Sequence, residues 1–169
     1  MSVTSGRLLV TSPRTHRLLQ FDADRNELCR VSLPPNILAR CAAESGRGGS
    51  FVVSCSDTEL DLDVVAEVAE SGRVLRRFGG CGLSSLRWPD HLAVVDSARG
   101  TIVLLADCYS GRVLLLDARL ALRRVIVDEL QLSGGSLRGL CYVEQTGHLL
   151  VALSNSVAVF DLLRSSSGV

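Results

Sequence analysis

The sequence contains no lysine: all 18 basic residues are arginine, and 18 acidic residues balance them to a formal charge of zero. Dedicated nucleic-acid and membrane-surface binders usually carry a basic excess, so the balance argues against DNA and membrane as partners. Aromatic residues make up only 4% of the chain, and any core must therefore be built from Leu, Val and Ala. No apolar run approaches the roughly 20 residues that a membrane-spanning helix needs. The opening MSVTSGRLLVTS lacks the charged-then-apolar layout of a secretory leader. A cytoplasmic location is the resulting expectation. There is no Cys-x-x-Cys pair; Cys29, Cys41, Cys55, Cys81, Cys108 and Cys141 stand far apart, mostly interrupting apolar runs. Buried free thiols are expected, ahead of disulfides or zinc ligands.

Motifs of enzyme chemistry are also missing. His16, His91 and His148 are scattered, with no His-x-x-x-His or Cys/His cluster to hold a metal. No Gly-x-Ser-x-Gly nucleophile elbow occurs. The segment SGRGGS, Ser45–Ser50, lacks the lysine and following helix of a phosphate loop and reads as a flexible turn. Glu59, Asp61 and Asp63 alternate within Ser56–Asp63, but without the glycine and distal glutamate of a calcium loop, so a solvated acidic loop is expected. No catalytic residue, cofactor site or metal site is assigned, and no enzyme activity is expected.

What the chain does have is a repeated pattern of short apolar runs. Between Trp88 and Asp117 three of them, Leu92–Val95, Ile102–Leu105 and Val113–Leu116, are separated by Asp96–Gly100 and Asp107–Gly111. Runs of this length bounded by Gly, Ser and Asp predict strands, being far too short for helices. The pattern has a period: Leu28, Leu75 and Leu122, each opening a Leu-x-Arg-apolar segment, stand 47 residues apart. Gly6-Arg7-Leu8-Leu9-Val10 is matched by Gly147-His148-Leu149-Leu150-Val151, three periods later. Four copies follow, over about 6–34, 35–80, 86–128 and 137–163 of a single domain spanning 1–169. The first is expected to lack its first strand and the fourth its last. Each full copy would be a four-stranded antiparallel meander with apolar residues on both faces, which only a neighbouring copy can cover. The predicted fold is all-β, a β-propeller-type array of about three and a half blades. A six-bladed ring at this period needs roughly 282 residues, so the ring is expected to be open and incomplete.

Copy three carries a family resemblance. Pro89-x-x-Leu92-Ala93-Val94-x-Asp96, Gly100-x-Ile102-Val103-Leu104-Leu105-Ala106-Asp107 and Ser110-Gly111-Arg112-Val113-Leu114-Leu115-Leu116-Asp117 resemble the first three strands of an NHL repeat. Copy one follows with His16-Arg17-Leu18-Leu19-Gln20-Phe21-Asp22, although Ser12 and Thr15 replace the acid and amide of the motif. Copy two departs most. Val159-Phe160-Asp161 resembles the end of a WD-repeat strand, which leaves a WD-like propeller as the alternative, with Trp88 out of place for it.

Propellers bind through the loops at their faces. The turn residues Arg14, His16 and Arg17 of copy one correspond to Tyr109, Gly111 and Arg112 of copy three. Arg14, His16, Arg17, Tyr109 and Arg112 are therefore the candidate partner-binding residues, arginine and tyrosine being suited to interface anchoring. The resemblance also implies a structural role between blades for Arg17 and Arg112. Arg76-Arg77 and Arg123-Arg124 fall on outermost strands, where charge discourages edge-to-edge pairing. The resemblance to the NHL segment of tripartite-motif and RING-type ubiquitin ligases implies a non-enzymatic scaffold that recognises a protein. Single-stranded RNA binding is the alternative, and a hydrolase or lyase propeller with a channel metal a third. Uncovered blade faces would favour self-association.

Overall fold

Short runs of Leu, Val and Ile become strands here because such side chains pack well on a pleated sheet, while Gly, Asp and Ser let the chain reverse between them. The computed structural model describes residues 2–4, 6–45, 48–80, 85–97, 100–132 and 135–162. Cys81, the tail 164–169, and 46–47 within the Ser45–Ser50 turn lie outside the described residues. No helix among the described residues is long and apolar enough to cross a membrane.

The first sheet comprises β1 (Ser2–Thr4), β2 (Arg7–Ser12), β3 (Arg17–Phe21) and β4 (Glu27–Ser32). The second comprises β5 (Ile37–Glu44), β6 (Ser50–Asp57), β7 (Leu62–Ala69) and β8 (Val74–Phe78). In the third are β9 (Pro89–Ser97), β10 (Gly100–Asp107), β11 (Arg112–Asp117) and β12 (Leu122–Val127). The fourth holds β13 (Leu137–Val143), β14 (His148–Leu153) and β15 (Val157–Asp161). Strands follow one another in chain order within each sheet, and the fold is an all-β array of propeller-type blades.

Period-two alternation sends adjacent residues to opposite blade junctions. At the first junction Leu9, Leu18 and Val31 of the first blade meet Phe51, Val53 and Ala66 of the second. Val52 and Val65, on the second blade's other face, meet Val103, Leu105, Leu114 and Leu116 of the third. Leu104, Ala106 and Val113 then face Leu149 and Val151 of the fourth. Each blade thus has a front, turned to the blade before it, and a back, turned to the blade after it. Leu104, Leu105, Leu114 and Leu116 are fully buried; truncating any one to alanine would cost on the order of 2–5 kcal/mol. Among the described residues no such cluster joins the first blade to the fourth, so the array is open.

Two expectations need correction. Copy one does not lack its first strand: Ser2–Thr4 pairs with β2, Val3 opposite Leu8. A strand of three residues with a single apolar one leaves no run to read. The acidic loop of copy two shrinks to Thr58–Asp61, because Ser56 pairs with Asp63 and Asp57 with Leu62, extending the hairpin. Asp63 is therefore a strand residue. The arginines do fall on the outermost strands β8 and β12, and three of them also brace their blades: Arg77 Nη1 lies 2.7 Å from Asp57 Oδ2, Arg76 Nε 2.7 Å from Glu67 Oε2, and Arg123 Nη2 2.7 Å from Asp117 Oδ2.

Gly72, in the β7–β8 turn, has φ of +83°, and a Cβ there would collide with the Ser32 backbone carbonyl of the first blade. Gly72→Ala is expected to destabilise the protein by about 2–3 kcal/mol. Gly49→Ala, also at positive φ but in open space, should cost only about 1 kcal/mol. Urea unfolding of the two variants checks this, and equal losses would refute the close approach of the two blades at Gly72.

Candidate functional site

Successive hairpins of a meander turn at alternate ends, so the second-to-third-strand turn of every blade shares one end of the array with the blade-to-blade connectors. That end carries the β2–β3 turn with Arg14 and His16, the β10–β11 turn with Tyr109, and the connector ending at Trp88.

Two buried aspartates fasten the connectors. Asp107, closing β10, accepts hydrogen bonds from the Arg87 amide at 2.7 Å and from Arg112 Nε at 2.9 Å. Arg112 Nη2 then donates to the Ser85 carbonyl at 2.5 Å. Asp57, at the equivalent end of β6, accepts from Asn36 Nδ2 at 2.9 Å and from the amides of Glu59 and Leu60, while its other oxygen pairs with Arg77. Burial alone would raise the Asp57 carboxyl, but the Asn36 and Leu60 hydrogen bonds and the Arg77 charge outweigh it and hold it below its ordinary value.

Between blades two and three these constraints support an exposed tryptophan. Trp88 has φ of +62°, a conformation that costs a bulky residue about 1–3 kcal/mol and persists only where surroundings impose it. Here they do. Its amide donates to Asp63 Oδ2 at 2.7 Å, and its carbonyl accepts from the Cys108 amide at 3.2 Å. Arg40 lies under the indole, its guanidinium carbon 3.6 Å from the ring centroid. The register of β5 against β6 shifts between Ala39 and Cys41, so Arg40 sits in a bulge, a device that re-aims a side chain. Arg40 Nη2 donates to Ser56 Oγ at 2.6 Å and to Asp63 Oδ1 at 3.0 Å, and the Ser56 hydroxyl donates to Asp63 Oδ1 at 2.7 Å. Arg40 Nη1 is buried without a hydrogen-bond partner among the described residues. Tyr109 meets the indole edge-on, ring centroids 6.1 Å apart. Trp88 is 49% exposed and Tyr109 72%.

The two rings form a ridge between two depressions. One, of about 470 Å³, is lined by Asp57, Asp61, Asp63, Arg87 and the two rings. The other, of about 400 Å³, lies towards blade four, where Asp90, Glu129 and Arg138 face the same rings.

Of the five candidate partner-binding residues, only Tyr109 lines these depressions. Arg112 is committed to Asp107 and the connector. His16, at φ of +51°, places Nδ1 3.3 Å from the Ile37 carbonyl and so ties blade one to blade two. Arg14 and Arg17 are exposed on blade one, away from the ridge. Sequence reasoning missed Trp88, Arg40, Ser56 and Asp63. A readable signal existed for Trp88: it is the sole tryptophan, set before Pro89 at a connector's end. The bulge that delivers Arg40 has none.

Burial pushes the thiol of Cys108, which borders one depression, up to about 11, and that of Cys55 up to about 12. Neither is a thiolate nucleophile at neutral pH. Among the described cysteines Cys41 and Cys55 are buried as expected, whereas Cys141 is exposed.

No family model and no curated protein matches this sequence. Solved structures do. Virginiamycin B lyase from Staphylococcus aureus superposes with a TM-score of 0.55 at 11% identity, over 99% of this chain and 56% of that one. Hydrazine synthase of Kuenenia stuttgartiensis gives 0.60 at 16% identity, over 94% of this chain and 43% of that one. The BBS1N structure, a complex with ARL6DN, gives 0.56 at 15%, over 93% and 46%. At these identities the similarity establishes the fold, that of propeller-type proteins. The chain spans about half the length of the structures it matches.

Asp57 yields a prediction with a definite sign. A carboxyl held below its usual value of 3.8 in the folded protein contributes stability at higher pH and loses it as pH falls through the folded-state value. Asp57→Asn should therefore cost about 2 kcal/mol at neutral pH, and the gap from wild type should narrow below pH 3.8. Urea unfolding of both proteins at neutral and acid pH tests it; a pH-independent gap would mean no coupling, and a gap that widens in acid would be the wrong sign.

Proposed function

We propose that this chain is a non-enzymatic propeller scaffold that recognises a protein segment across the Trp88–Tyr109 ridge. The observation that carries the reading is the fixed indole: a half-exposed tryptophan, held at an unfavourable φ by hydrogen bonds from two blades and backed by Arg40, beside an exposed tyrosine. Rigid aromatic side chains flanked by depressions are the usual anchors of protein interfaces, since they bury large areas at little entropic cost. A matched propeller-type structure, BBS1N, is itself in complex with a protein, ARL6DN, which supports the reading. With the NHL resemblance of copy three, the chain would serve as the substrate-recognising part of a longer protein of the ubiquitin-ligase type, working in the cytoplasm.

Single-stranded RNA is the less favoured ligand. Aromatic stacking would suit bases, but Asp57 and Asp63 already hold Arg77 and Arg40, and Asp61, Asp90 and Glu129 offset Arg87 and Arg138, so the ridge offers no basic excess to a phosphate backbone. The similarity to a lyase, at 11% identity, supports the fold and carries no argument about chemistry.

Quantitative affinity capture with the wild-type chain as bait tests the proposal. Trp88→Ala and Tyr109→Ala should each lower recovery of the bound protein by ten-fold or more, about 2 kcal/mol for a hot-spot residue, with unchanged circular dichroism. Arg14→Ala should leave recovery unaltered. Full retention by the Trp88 and Tyr109 variants would move the binding surface elsewhere, and saturable quenching of Trp88 fluorescence by single-stranded RNA would favour the nucleic-acid reading.

A further inference from the structure

We propose that two copies of this chain associate head to tail, the front of each first blade seating on the back of the other's fourth blade, to close a ring of eight blades. The inference rests on strand register and does not depend on the ridge.

Within the third blade both faces are covered. Its front presents Val103 opposite Leu116 and Leu105 opposite Leu114, all essentially inaccessible against the second blade. The first blade has the same arrangement, Leu8 opposite Phe21 and Val10 opposite Leu19, on the face turned away from the second blade. These four side chains are apolar and only partly exposed, because they shield one another, yet no blade covers them.

The fourth blade carries the complementary half. In the third blade the back is formed by Leu104 opposite Leu115 and Ala106 opposite Val113, packed on the fourth. Their counterparts are Leu150 opposite Val159 and Ala152 opposite Val157. Val113 is 0% exposed, whereas Val157 is 63% and Val159 58% exposed, and Cys141, opposite Leu150, is exposed beside them. The chemistry is unchanged and only the cover is missing.

Every junction in the chain joins a front to a back. Among the described residues one front and one back are therefore unpaired, and a second copy supplies the match for both. Front-to-front pairing would reproduce none of the three junctions. A heterologous contact of this kind either closes into a ring or grows without limit. Two copies bring four blades each, and eight is within the range that propellers adopt. They would also hold about the amount of chain found in the matched structures, of which this chain spans 43% to 56%.

Light scattering after gel filtration of the 169-residue chain should give the mass of two chains, unchanged over a ten-fold concentration range. Leu19→Arg spoils the front and Val159→Arg the back, and each alone should run as a monomer with wild-type circular dichroism. Mixed in equal amounts they should regain a two-chain mass, because the first keeps an intact back and the second an intact front. A folded wild-type monomer overturns the proposal. So does a Leu19→Arg protein that stays dimeric, a mixture that stays monomeric, or a wild-type mass that climbs without a plateau. Neither substitution touches Trp88 or Tyr109, so failure here leaves partner capture by the ridge to be judged separately.

Discussion

A four-stranded sheet of Leu, Val and Ala with both faces apolar has no stable existence alone in water, and the rest of this molecule follows from that constraint. Each strand residue serves one junction and its neighbour in sequence serves the next, so that Val52 and Val53, or Leu104 and Leu105, belong to different cores. The hydrophobic contribution is therefore distributed over junctions and not concentrated in a centre. Stability in such an array is approximately a sum of blade and nearest-neighbour terms. The outermost faces are where that sum is incomplete.

Polar groups set the geometry that apolar packing leaves loose. Asp57 and Asp107 occupy equivalent positions at the ends of second strands, and each gathers donors from a connector: Asn36 in one case, the Arg87 amide in the other. A carboxylate that is both hydrogen-bonded and paired with an arginine, as Asp57 is with Arg77 and Asp107 with Arg112, is tolerable inside a protein; stripped of those partners it would be costly. The connectors are thus fixed at the end of the array where the exposed aromatics stand, and rigidity at that surface derives from buried charge.

Strand positions were legible because turn formers and short apolar runs alternate regularly: Leu92–Val95, Ile102–Leu105 and Val113–Leu116 fall within β9, β10 and β11. The period of 47 exposed the blades for the same reason. β1 was not legible, since Ser2–Thr4 owes its strand character to the partner strand β2 and not to its own composition. Arg112 could be read as structural from the repeat motif, and the structure gives it Asp107 and Ser85 as partners. Arg40 could not be read at all. In a regular strand it would be one more polar residue between Ala39 and Cys41; only the bulge turns it beneath Trp88. Irregularities of register carry no compositional mark, and here one of them builds the site.

Trp88 takes its amide bond from Asp63 of the second blade and gives its carbonyl to Cys108 of the third. Its ring rests on an arginine of one blade and meets a tyrosine of the other. The indole is accordingly a linkage between two rigid bodies, and its pose is a function of the angle between them. A change in curvature of the array, whether from gaining or losing neighbours at its ends, would be felt as a displacement of this one side chain. The proposed assembly at the rim and the proposed recognition at the face would in that sense be mechanically connected.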